Sequence, residues 1–160
     1  MAPKYLVSTV VVLLLYSISI APILAFTGEV VSVLDGDTIE VLHNGKAQRV
    51  QLYGIDCPET GQPFGSNAKQ ATSAMVFAMN VTLEIHGKDK YGSILADVLL
   101  ADGTNVNHAL VKDGWCWRYR KHTPNDTALE KLETEAIEAG RGLWADPQPV
   151  PPWEWRKKGK

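Results

Sequence analysis

The 160-residue chain carries 16 basic and 18 acidic side chains, a formal net charge of −2. That length holds one domain and hardly two. Lys4, Arg156, Lys157, Lys158 and Lys160 are five of the cations, so Phe26 to Trp155 holds 11 basic against 18 acidic groups, a net −7; this excludes a continuous basic face, and an anionic partner would have to be met by a few clustered cations or by a metal.

The first 25 residues stand apart. Lys4 precedes an almost unbroken apolar run, Tyr5 to Ile20, and Ala21-Pro22-Ile23-Leu24-Ala25 ends on a small residue before Phe26. This is the layout of a secretory signal peptide over residues 1–25, which predicts a secreted or periplasmic protein. The competing reading is a membrane anchor through residues 5–25, because the run approaches the ~20 residues that span a bilayer.

Thr27 to Leu34 alternates around Val30, Val31 and Val33 and predicts a strand. Asp35-Gly36 turns the chain, Thr38 to His43 resumes strand character, and Asn44-Gly45 is a two-residue hairpin signal. Gln48 to Ile55 follows as a third strand, completing a meander. Pro58 to Pro63 is a loop. Ser66 then caps a helix with Ala68, Ala71, Met75, Ala78 and Met79 on one face. Val81 to Ile85 and Ile94 to Leu100 are two further strands, and Asp102-Gly103 turns the chain again. Asn105 or Asn107 opens a short helix that stops at Gly114. Trp115 to Tyr119 is extended or irregular. Asn125 or Asp126 caps a last helix with Leu129, Leu132, Ala136 and Ala139 along one side. From Pro147 the prolines, tryptophans and lysines mark a tail, residues 147–160, packed by Trp153 and Trp155 at most. Five short strands with intervening helices predict an α+β domain over residues 26–146, a small closed five-stranded β-barrel with three helices; periodicity does not reveal the strand order.

Cys57 and Cys116 are the two cysteines. In an oxidising compartment such a pair favours a single disulfide, the alternative being two free buried thiols. Their separation does not suit a zinc site.

The side chains able to carry chemistry are Asp35, Asp37, Asp56 and Glu59. In a meander the end of the third strand lies beside the start of the second, which brings Asp37 and Asp56 together. Two carboxylates with a carbonyl or water form an oxygen shell for Ca²⁺ or Mg²⁺. Glu59, three residues on, could act on a nearby water as general base. The plainer reading is that Asp-Gly and Asp-x-Pro-Glu are ordinary turn and loop sequences.

Val33-Leu34-Asp35-Gly36-Asp37-Thr38 and Val50-Gln51-Leu52-Tyr53-Gly54-Ile55-Asp56-Cys57-Pro58-Glu59 resemble the thermonuclease, or staphylococcal nuclease-like, family. Lys88-Asp89-Lys90-Tyr91-Gly92, Val106-Asn107-His108-Ala109-Leu110-Val111 and Gly142-Leu143-Trp144 continue the resemblance in order. It implies an OB-fold barrel with three helices and Ca²⁺-dependent cleavage of DNA or RNA phosphodiesters. It also implies metal ligation by Asp37, Asp56 and the Cys57 carbonyl, Glu59 near the attacking water, and Tyr91 against the nucleotide.

Two positions depart from the family pattern. Gln51 stands where the family places one phosphate-binding arginine, and Ser93 stands where it places the second. A cation aimed at charge developing on phosphorus is worth roughly 10³–10⁵ in rate in phosphoryl transfer, so weak or lost activity is expected. Arg49, on the same strand face, and Lys88 and Lys90, flanking the second gap, are candidate substitutes; the other reading of Arg49 is a solvated barrel face. Trp115 to His122 interleaves aromatic and basic residues. Either the strip stacks bases and meets phosphates, with Arg120 and Lys121 as the better contacts, or its tryptophans pack on the barrel while its cations face water. Two function classes stand: a secreted, monomeric Ca²⁺-dependent nuclease, or a non-catalytic OB-fold module that binds metal and nucleic acid.

Overall fold

The computed structural model describes residues 24–158. Of the expected signal segment, residues 1–23 lie outside the described residues. Among the described residues, seven strands, four helices and one 3₁₀ turn follow in chain order. Strands β1 (Ala25–Val33), β2 (Thr38–His43) and β3 (Lys46–Leu52) form the expected meander. Its second turn is the expected hairpin signal, with Asn44 and Gly45 both at positive φ, 50° and 74°. Strands β5 (Asn80–Lys88) and β6 (Ile94–Leu99) form a second hairpin. The two units close into a five-stranded barrel in the order β1-β2-β3-β6-β5, antiparallel except for β3 beside β6. Val30, Ile39, Val41, Val50, Leu52, Leu83, Ala96 and Val98 are buried in the core.

A separate two-stranded sheet joins β4 (Ile55–Asp56) to β7 (Trp117–Arg118). Residues 48–55, expected as one strand, are thus split at Tyr53-Gly54, where the chain turns off the barrel wall. The first helix, α1 (Gly65–Val76), begins without the expected Ser66 cap. Phe64 takes the capping position with φ 66°, and a Cβ on Gly65 would stand 1.9 Å from the Glu59 carbonyl oxygen, so the helix starts hard against the preceding loop. It also ends before Ala78 and Met79. Ala78 N–H donates to the Val30 carbonyl and Val30 N–H to that of Met79, so the open backbone groups of β1 draw these residues into the barrel.

Helix α2 (Val106–Lys112) is capped by the Asn105 side chain, and α3 (Thr127–Glu138) by that of Asp126. Asn107 is fully buried. Its amide donates to the Tyr53 and Ala96 carbonyls and accepts from Val98 N–H, fastening α2 to both walls where β3 and β6 part. Residues beyond Pro147 do more than pack: Pro152–Lys158 form a fourth helix, α4. Pro at the first helical position is pre-set for that start.

Candidate active site

Asp37 stands at the entry to β2 and Asp56 in β4, brought together by the meander. Gly36 sets how closely the two loops approach. A Cβ there would lie 2.7 Å from Cys57 Cβ and 2.8 Å from Ala68 Cβ, so the Asp35–Asp37 turn lies against the disulfide and α1 at a distance only glycine allows. Thr72 donates to the Gly36 carbonyl from α1, and Thr60 donates to Asp35 across the loops at 2.9 Å. Cys57 and Cys116 are joined by a disulfide, both nearly fully buried, which ties β4 to the end of the α2 segment.

The Cys57 N–H donates to Asp37 Oδ2 at 2.9 Å and the Thr38 hydroxyl to Oδ1. Burial, with a further push from Asp56, nonetheless lifts the Asp37 carboxyl to about 7. Burial also raises Asp56, opposed by the Arg156 guanidinium. Among the described residues no three His, Cys, Asp or Glu side chains converge as a ready cage. Two buried, mutually repelling carboxylates with only oxygen donors fit a hard cation whose shell is completed by carbonyls and water.

Glu59 is half-buried beside them. Its expected neighbours at positions 51 and 93 bring no charge. Gln51 lies in β3 opposite Thr38 and beside Leu95 of β6, and Ser93 is buried immediately before β6, its N–H donating to Asp89. Of the candidate cations, Arg49 is exposed opposite Glu40, and Lys90 lies over the ring of Tyr91, itself 81% exposed. Arg120 reaches toward Glu133 at 4.0 Å, and Lys121 is exposed. None of them bonds to Asp37, Asp56 or Glu59 among the described residues.

The Trp115–His122 strip divides between packing and exposure. Trp117 packs edge-on against Trp144 and Trp153, and Arg118 is buried, donating to the Thr123 and Pro124 carbonyls. Together with Tyr119, Arg120, Lys121 and α4, these residues line a cavity of about 400 Å³.

Sequence reasoning missed Arg156. From α4 its guanidinium forks onto Asp56, Nη2 to Oδ2 at 2.6 Å and Nη1 to Oδ1 at 3.1 Å, and Nη1 also donates to Glu59 Oε1. The only signal was its place in a tryptophan-rich segment: Trp153 anchors the helix on Trp117 and Tyr119, at ring separations of 5.7 and 5.9 Å.

Residues 49–146 match the family model described as staphylococcal nuclease homologue. An uncharacterized endonuclease of Escherichia coli is 44% identical over 131 residues, covering 82% of this chain and 85% of that protein. A micrococcal nuclease of Shigella flexneri is 42% identical over 144 residues, covering 84% and 83% of the two chains. A staphylococcal-like nuclease of Arabidopsis thaliana is 35% identical over 112 residues, 70% of this chain but 34% of the larger plant protein.

Proposed function

The chain belongs to the staphylococcal nuclease homologues, and from that premise we propose that it is an exported, monomeric, Ca²⁺-dependent nuclease hydrolysing DNA or RNA at Asp37, Asp56 and Glu59. The observation that carries the reading is the convergence of two buried acidic oxygen donors with a half-buried, solvent-reaching glutamate at one loop cluster. Asp37, Asp56 and the Cys57 carbonyl would hold the cation, which when bound polarises the phosphoryl oxygen. Glu59 takes a proton from the attacking water as the new P–O bond forms. The ester P–O bond breaks on the opposite side, and its oxygen leaves with a proton from solvent. Tyr91 and Lys90, exposed at the β5–β6 turn, and Arg49, Arg120 and Lys121 meet the rest of the strand.

Gln51 and Ser93 hydrogen-bond phosphate without adding charge, which makes this nuclease slower than a relative carrying both arginines, since only interactions stronger in the transition state raise the rate. The uncharged pair also favours a second reading, a non-catalytic module that binds metal and nucleic acid. Purified protein assayed on single-stranded DNA with Ca²⁺, with chelator and as Glu59→Ala separates the two. Chelator-sensitive, Glu59-dependent cleavage supports the nuclease; none above the Glu59→Ala background refutes it.

A further inference from the structure

The reading above leaves the phosphate without a cation at either family position. We infer that Arg156, returned from the last helix, is the substrate-phosphate cation of this site. This rests on the nuclease reading and extends it to a residue outside the matched segment.

Three observations support it. First, the guanidinium is delivered, not stray. Pro152 is buried, Gln62 donates to the Val150 carbonyl at 2.6 Å, and Trp153 packs against Trp117 and Tyr119. The segment before Arg156 is therefore pinned across the β4–β7 sheet, one helical turn from the site. Second, Arg156 touches both groups that must flank the reacting phosphate. Asp56 would hold the metal and Glu59 would take the water's proton, and the guanidinium is bonded to both of these carboxylates, within reach of a phosphoryl group that met them. Its planar fork, now on a carboxylate, matches phosphate oxygens equally well. Its side chain keeps 44% of its surface open, so a substrate can reach it. Third, no other described cation makes a salt bridge to Asp56 or Glu59, and buried Arg118 is committed to the Thr123 and Pro124 carbonyls and to Glu130.

The same contacts allow the opposite role, a stopper that holds Asp56 and Glu59 against metal and substrate. The two roles differ in sign. Full-length protein, Arg156→Ala, Arg156→Lys and the shorter, uncharged Arg156→Gln should be titrated with Ca²⁺ alone and then, at saturating Ca²⁺, with thymidine 5′-monophosphate, which has no internucleotide bond to cleave. Cleavage of single-stranded DNA is measured alongside. For a phosphate cation, Arg156→Ala and Arg156→Gln weaken nucleotide binding at least about tenfold and slow cleavage by about 10²–10³. Arg156→Lys recovers part of both, and Ca²⁺ affinity is unchanged or tighter. Gln51→Arg added to Arg156→Ala restores nucleotide binding. Nucleotide affinity unchanged or raised in Arg156→Ala and Arg156→Gln overturns the inference, as does a wild type that binds no nucleotide. If the wild type binds nucleotide through Arg156 but shows no Glu59-dependent cleavage, the inference stands and the nuclease reading fails.

Discussion

Removing the Cys57–Cys116 disulfide should loosen both the fold and the loop proposed to hold the metal. The two cysteines are 59 residues apart, and the chain-entropy model assigns a loop of that size about 4 kcal/mol at 25 °C. Both sulfurs are in the core, Cys57 3% and Cys116 0% exposed, so Cys57→Ala with Cys116→Ala also leaves a void costing on the order of 1 kcal/mol. A combined loss of about 5 kcal/mol lowers the folded-to-unfolded ratio by roughly 10³–10⁴, a large share of a small domain's stability. What remains to hold the loop is a set of single polar contacts, the Cys57 N–H bond to Asp37, the Thr60 bond to Asp35 and the Arg156 fork on Asp56, with the two-residue β4–β7 pairing. Because Cys57 directly follows Asp56, the change should also weaken Ca²⁺ binding, by about tenfold. Urea denaturation of the wild type and the double variant gives the stability difference, and calorimetry the affinity. A stability loss under about 1 kcal/mol would refute the loop-closure reasoning. Unchanged Ca²⁺ affinity would show that the metal loop is held without the bridge.

Gly36→Ala places a methyl 2.7–2.8 Å from Cys57 and Ala68; we expect a loss of about 1–3 kcal/mol by denaturation together with weaker Ca²⁺ binding. Gln51→Arg with Ser93→Arg should raise single-stranded DNA cleavage at least about tenfold when Glu59 is intact; no gain would mean that charge at these positions does not limit the rate. Burial holds the Asp37 carboxyl near 7, so Ca²⁺ must displace its proton at lower pH, and calorimetric affinity should fall between about pH 8 and about pH 6. The sign for the metal-free fold is opposite. A raised carboxyl pKa contributes stability that is present below its unfolded value of 3.8 and is lost as pH climbs through 7, a trend that Asp37→Asn should flatten in thermal melts.

Local patterning made most of the barrel legible. Strands β1, β2, β3, β5 and β6 and the Asn44-Gly45 turn follow from short-range alternation and turn chemistry, and the Asn105 and Asp126 caps are each one of the two neighbouring candidates it offered. The approach of Asp37 to the β4 loop followed from meander geometry alone. What escaped depends on distant partners. The early end of α1 is imposed by the unpaired groups of Val30, and the close packing at Gly36 by a side chain twenty-one residues away in the Cys57 loop. The last helix is the extreme case. Seven residues behind a proline run carry little helical signal, and Arg156 meets Asp56 across 100 residues because three aromatic rings dock α4 on β7.

The one parallel seam of the barrel bears on the order of folding. The β1–β2–β3 meander and the β5–β6 hairpin pair near neighbours in the chain, and such pairings form on microsecond timescales. Sealing Val50 to Ile94 and Phe26 to Leu83 joins the two units only after long loops have closed, and non-local pairing of that kind is slow. Asp37 belongs to the early unit, whereas Asp56 is set by the β4–β7 pairing and Arg156 by α4 docked on β7, so both wait on β7. In refolding, calcium binding and nucleotide binding should therefore return together, after the barrel has closed.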